Sequence, residues 1–165
     1  MKHKMSIIGI GMKLVSITML YSILLILFIH SSGYYFIIPE IPHKFLCILG
    51  ILLIILGIPF LIISIITLNK SYKADLLNVK GVYSVCRHPL YSSWIIFIVP
   101  GVICLLDSWL LFTIPVVLYL TFKILIKQEE AYLLEKFGNQ FIDYKDKVGL
   151  LVPMFCKYDN KKEEM

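Results

Sequence analysis

Residues 45–68 carry no charged side chain over 24 consecutive positions, and a run of that length and polarity has few ways to fold. As a helix rising about 1.5 Å per residue it is about 36 Å long, enough to cross a bilayer core of about 30 Å. Three other runs qualify. One extends from Leu14 to Ile29, and reaches back to Ile7 if Lys13 snorkels to the interface. The others are Pro89 to Asp107 with 19 residues and Ser108 to Gln128 with 21, about 28 and 32 Å long as helices. Composition agrees: the chain is 59% hydrophobic and 16% charged, against about 45–50% and about 25% in soluble domains. The fold class expected is all-α integral membrane, with about four transmembrane helices, or five. A single domain over 1–156 and a disordered tail over 157–165 complete the expected organisation.

Charge orients the bundle. Lys2, Lys4 and Lys13 precede the first run, Lys70, Lys73, Lys80 and Arg87 separate the second from the third, and eight lysines follow from Lys123 onward. Lys44 stands alone on the opposite side, so the positive-inside rule places both termini and the middle loop in the cytoplasm. The basic start is expected to be a retained anchor, because no small-residue cleavage site follows at 31–36. The net charge of +5 then belongs to lysines against anionic lipid heads, makes membrane lipids the expected neighbours and gives no argument for nucleic acid, which is not expected as a partner. Cys47, Cys86, Cys104 and Cys156 show no CxxC pair and no Cys/His ligand spacing. They read as free thiols, with no metal.

With only Asp107-Ser108 to turn on, the third and fourth runs form an antiparallel hairpin, 89–128. Its open end brings Arg87, His88 and Tyr91 near Glu129 and Glu130. Taken singly, each residue has an ordinary explanation: Arg87 as a topology determinant, His88 as a helix cap before Pro89, Tyr83 and Tyr91 as interfacial aromatics, the two glutamates as a solvated turn. Those explanations do not require all of them to meet at one end of one hairpin, so one functional site is expected there. Pro100-Gly101 and Pro115 are expected to bend the third and fourth spans. Beyond Gln128, Leu133, Leu134 and Phe137 continue a helical pattern into a cytoplasmic helix that Gly138 stops. The apolar stretch Gly149 to Pro153 is expected to fold back on the bundle or the lipid surface.

The segment Gly81-Val82-Tyr83-Ser84-Val85-Cys86-Arg87-His88-Pro89-Leu90-Tyr91 resembles the signature of the isoprenylcysteine carboxyl methyltransferase and phospholipid methyltransferase superfamily of membrane enzymes. Glu129-Glu130, Phe137-Gly138, Tyr144 and Gly149 to Pro153 follow the same pattern in the same order, so the likeness covers 77–153. One departure is Phe141, where the family commonly has Tyr. The resemblance implies methyl transfer from S-adenosylmethionine to a lipophilic acceptor, a prenylcysteine carboxylate or a phospholipid amine. Carried over, it makes His88, Tyr91, Glu129 and Glu130, with Tyr83, cofactor contacts and sets Arg87 beside the acceptor. Glu130 is the candidate general base if the acceptor is an amine, which must lose a proton before it attacks. A carboxylate needs none. Two other readings compete: an NADPH-dependent sterol-type reductase, which shares an Arg-His element, and a non-catalytic four-span transporter or scaffold. A transporter is expected to carry ionisable groups near the bilayer middle, and the second and third runs have none.

Overall fold

The computed structural model describes residues 10–34, 36, 41–106 and 108–152. These residues form helices and no strand, and four of the helices are long and apolar enough to cross a membrane: Gly11–Ser32, His43–Lys73, Pro89–Leu106 and Trp109–Phe137. They are called spans 1 to 4 below. The expected tail 157–165, Cys156, Pro39, Pro153 and Asp107 of the hairpin turn lie outside the described residues.

Span 2 packs along span 3, and span 1 against span 4. The first pairing is closer than a side chain would permit. A Cβ added to Gly50 would stand 2.6 Å from the carbonyl oxygen of Gly101, and one added to Gly57 would stand 2.7 Å from Cβ of Phe97. Small residues let two backbones approach in a membrane, where dispersion contacts and not water exclusion hold helices together. Span 3 therefore leans on span 2 more extensively than on its own hairpin partner.

Span 3 is not a uniform helix. Residues Ser93–Ile98 form a π-helical segment between Pro89–Ser92 and Val99–Leu106. Pro100 has no N–H to give to the preceding turn, and a local widening is a usual response to such a gap. Pro115 behaves otherwise than expected. It falls in the first turn of the helix Thr113–Phe137, where an N–H has no intrahelical partner anyway, so no bend is required there.

Two buried apolar clusters hold the spans and the segments that follow them. Ile10, Leu14, Tyr91, Ile95, Leu118, Phe122, Ile126 and Leu151 join spans 1, 3 and 4 to the C-terminal stretch. Val79, Phe141, Tyr144 and Val148 form the second, between the middle loop and a short helix, Asn139–Lys147. Span 4 runs unbroken to Phe137, so Leu133 and Phe137 are the end of that span, and a separate helix follows Gly138. Phe141 is 1% exposed in this second core. A phenyl ring suits that apolar position. The stretch after Val148 does fold back on the bundle, since Leu151 is a core residue.

Candidate functional site

The site begins with a turn. Gly81 takes φ +63, a left-handed conformation that costs glycine little, and opens a 3-10 turn, Gly81–Ser84, that buries Tyr83. The chain then runs alongside the C-terminal stretch. The N–H of Arg87 donates to the carbonyl of Gly149 at 2.9 Å, and that of His88 to Leu150 at 3.2 Å. The Cys86 thiol and the Ser92 hydroxyl both donate to the carbonyl of Leu151, at 3.1 and 2.7 Å. The Tyr144 hydroxyl donates to the carbonyl of Tyr83 at 2.6 Å. Net, bonds of this kind contribute about 0.5–1.5 kcal/mol each, and together they fix the Arg87-His88 pair against the end of span 3.

Pro89 occupies the first helical position with His88 as N-cap, and the His88 side chain makes no capping bond. It is turned inward and is 5% exposed. Opposite it, span 4 presents the two carboxylates. Tyr91 Oη donates to Glu129 Oε2 at 2.9 Å, and Arg87 Nη1 to Glu130 Oε1 at 2.5 Å. His88 Nδ1 lies 3.6 Å from Glu129 Oε1, and Nε2 lies 3.7 Å from Glu130 Oε1, beyond hydrogen-bond reach but within strong electrostatic influence. Two buried nitrogens on this wall, Arg87 Nε and His88 Nε2, have no hydrogen-bond partner among the described residues. Buried donors and acceptors are normally satisfied, so these two nitrogens retain hydrogen-bonding capacity that the described residues do not use.

The two glutamates face different spaces. Glu129, with Tyr83, Arg87, His88 and Tyr91, lines a cavity of about 600 Å³, within the size range of small-molecule sites. Glu130 lines a separate groove with Lys127, Leu134 and Phe141, and its second oxygen accepts from Lys145 Nζ at 2.8 Å. Both of its oxygens are thus committed to cations. The base role expected of Glu130 has no support in this geometry. Sequence reasoning also missed Lys145, Ser92 and the Gly149–Leu151 carbonyls. The periodic polar face of 139–147 was the available signal for Lys145, and carbonyl acceptors leave none.

The cavity is mostly apolar, and spans 1 and 2 contribute to its walls through Met12, Val15, Ile65 and Leu68. Burial and the neighbouring charge of Glu129 push the Tyr83 hydroxyl well above the usual tyrosine range, so it stays a neutral donor. Burial raises the Cys86 thiol to about 11, which makes it a poor nucleophile near neutrality. Among the described residues, no group of three or more His, Cys, Asp or Glu side chains is placed to hold a metal ion.

Residues 48–135 match the isoprenylcysteine carboxyl methyltransferase (ICMT) family. Among curated relatives, the Protein-S-isoprenylcysteine O-methyltransferase of Saccharomyces cerevisiae is 35% identical over 123 residues, 69% of this chain and 52% of that protein. The Protein-S-isoprenylcysteine O-methyltransferase B of Arabidopsis thaliana is 29% identical over 67% of this chain and 61% of its own length. That of Rattus norvegicus is 26% identical over 70% and 44%. The chain thus spans about half the length of the curated relatives it matches. No solved structure matches it.

Proposed function

The chain belongs to the isoprenylcysteine carboxyl methyltransferase family, and from that premise we propose that it transfers a methyl group from S-adenosylmethionine to a lipophilic carboxylate of the prenylcysteine kind. The observation that carries this reading is one cavity with two characters. Met12, Val15, Ile65 and Leu68 of spans 1 and 2 give it an apolar wall, and Arg87, His88, Tyr91 and Glu129 give it a compact charged wall.

The charged wall suits the amino-acid end of the cofactor. Glu129 would take the ammonium, and the unpartnered nitrogens Arg87 Nε and His88 Nε2 can donate to a carboxylate, as charge-assisted bonds that are stronger than neutral ones. Tyr91, whose hydroxyl donates to Glu129, orients that carboxylate, and the buried Tyr83 ring completes the wall. Glu130 serves as a positioning residue that holds Arg87. When bound, S-adenosylmethionine supplies an electrophilic methyl group on a sulfonium. What the chain adds is placement: an acceptor carboxylate, already ionised, is steered by Arg87 and held in line in a space shielded from water, the main requirements for such a transfer. No general base is called for, which agrees with Glu130 being fully engaged.

The acceptor enters from the bilayer between spans 1 and 2, whose ends line the cavity, and the soluble donor enters from the cytosol. The Lys/Arg distribution supports this orientation, with termini and site on the cytoplasmic side. Calorimetric titration of the detergent-purified protein tests the donor, with micromolar S-adenosylmethionine binding expected and none for NADPH. Transfer of a labelled methyl group to N-acetyl-S-farnesylcysteine, and not to phosphatidylethanolamine, is the expected acceptor result. NADPH binding without S-adenosylmethionine binding would reject the proposal.

A further inference from the structure

The guanidinium that is to steer the acceptor already has a carboxylate of its own. Arg87 Nη1 donates to Glu130 Oε1 at 2.5 Å, and two opposite charges that close together attract and repel a more distant anion almost equally. Glu129 offers no relief, since it is a further negative charge on the cavity wall and is matched only when the donor's ammonium sits on it. Arg87 and Glu130 by themselves therefore give an acceptor carboxylate little net attraction. If Arg87 is to act on an anion, a second cation must offset Glu130.

Lys145 occupies that place. Its Nζ donates to the other oxygen of Glu130 at 2.8 Å, and both residues line the groove and not the cavity. Lys136, the lysine on the cavity wall, is paired instead with Asp75. The helix Asn139–Lys147 that carries Lys145 is well anchored: Phe141 and Tyr144 are buried in the second core, and Tyr144 Oη donates to the Tyr83 carbonyl. Just past this helix, the carbonyl of Gly149 receives the N–H of Arg87. One segment, 139–149, thus holds Arg87 twice, by its main chain through Gly149 and by its guanidinium through Glu130. We infer that Lys145 is a positioning residue for the acceptor: by occupying the outer oxygen of Glu130 it leaves the Arg87, Glu130 and Lys145 chain with one net positive charge and holds Glu130 where it orients the guanidinium. Lys145 touches no reactant. The inference rests on the methyltransferase reading above and deepens it, because it ties the preference for an anionic acceptor to a residue outside the cavity.

Charge separates this role from a merely structural one. The acceptor is an anion, whereas S-adenosylmethionine, with an ammonium, a sulfonium and a carboxylate, is a net cation. Loss of a nearby positive charge weakens the first and not the second, while a loosened site weakens both. Methyl transfer to N-acetyl-S-farnesylcysteine is measured with the detergent-purified full chain, with Lys145→Met and with Lys145→Arg, and inhibition by the uncharged methyl ester product reports how the same lipid binds without its charge. The Lys145 side chain is 47% exposed, so the fold should survive its replacement and solvent should keep the effect modest. In Lys145→Met the acceptor KM is expected to rise about fivefold, with the S-adenosylmethionine KM not raised and the ester inhibition constant unchanged. Lys145→Arg should recover the wild-type KM, and added salt should narrow the difference between wild type and Lys145→Met. An unchanged acceptor KM in Lys145→Met overturns the inference, as does a parallel rise in the ester constant or in the donor KM, or a Lys145→Arg variant that recovers nothing. If the folded wild type binds no S-adenosylhomocysteine in calorimetry, the methyltransferase reading falls and takes this inference with it. Binding of S-adenosylhomocysteine together with a wild-type acceptor KM in Lys145→Met removes the Lys145 role alone.

Discussion

The two ends of the bundle are built on different principles. Toward the end where spans 3 and 4 join, spans 2 and 3 touch through Gly50 and Gly101, spans 1, 3 and 4 share a cluster around Ile103, Leu111 and Ile114, and the Tyr21 hydroxyl donates to Thr113 Oγ1 at 2.8 Å. Toward the end that holds Arg87, His88 and Glu129 the apolar contacts continue, but side-chain and carbonyl hydrogen bonds from three separate segments are laid over them. The difference shows where specificity is needed. Helix packing alone suffices to hold a bundle in lipid. A site that must orient a charged ligand requires preformed donors and acceptors that do not relax when the ligand leaves.

Glu129 tests that division most severely. Glu129→Ala is expected to weaken S-adenosylmethionine binding by more than about 100-fold, because it removes the carboxylate for the ammonium and strands the Tyr91 hydroxyl. Circular dichroism should show unchanged helix content. Retained affinity would mean that the polar end serves folding only. The other end should answer in the opposite way. Gly50→Val drives a side chain into the Gly101 carbonyl, and spans 2 and 3 must separate, a cost of about 2–3 kcal/mol. Its melting temperature in detergent should fall while cofactor affinity in the surviving folded fraction stays at the wild-type value.

A smaller effect sharpens the comparison through pH. The Cys86 thiol, 0% exposed, is held by burial at about 11 against an ordinary 9.0. An unfolded chain loses this proton first, so the contribution to stability is constant below about pH 9 and declines as pH climbs toward 11. At pH 10 the loss is about 1.4 kcal/mol. Melting curves of the wild type and Cys86→Ala between pH 8 and pH 10 should therefore converge or cross as pH rises. Parallel curves would show that the thiol is reached by solvent.

Legibility from sequence followed the same division. The spans were readable because bilayer thickness imposes a length on any uncharged helix, and residues 45–68 satisfy it without interruption. The meeting of Arg87, His88 and Tyr91 with Glu129 and Glu130 was readable because a hairpin with a two-residue turn leaves little choice of register. What sequence left hidden depended on three-dimensional detail. Glu129 and Glu130 are neighbours with equal charge, yet a helix turns about 100° per residue, so one faces the cavity and the other the Lys145 groove. The closeness of spans 2 and 3 depended on which glycines stood opposite one another. Backbone carbonyl acceptors at 149–151 are common to every residue type, and no side-chain pattern announces them.

Those carbonyls make the last and smallest test. The Leu151 carbonyl receives both the Ser92 hydroxyl at 2.7 Å and the Cys86 thiol at 3.1 Å. A carbonyl has two lone pairs, so Ser92→Ala leaves it partnered, and the expected cost is that of one net hydrogen bond without a desolvation penalty, under about 1 kcal/mol. Combining Ser92→Ala with Cys86→Ala strips both donors and leaves a buried acceptor bare, which adds about 1–3 kcal/mol beyond the loss of the bonds themselves. The double variant should then be less stable than the sum of its parts by a measurable margin. Strict additivity in chemical denaturation would mean that water enters behind Leu151. The site end would then draw its rigidity from the Arg87 and His88 backbone bonds to Gly149 and Leu150, and not from the side chains.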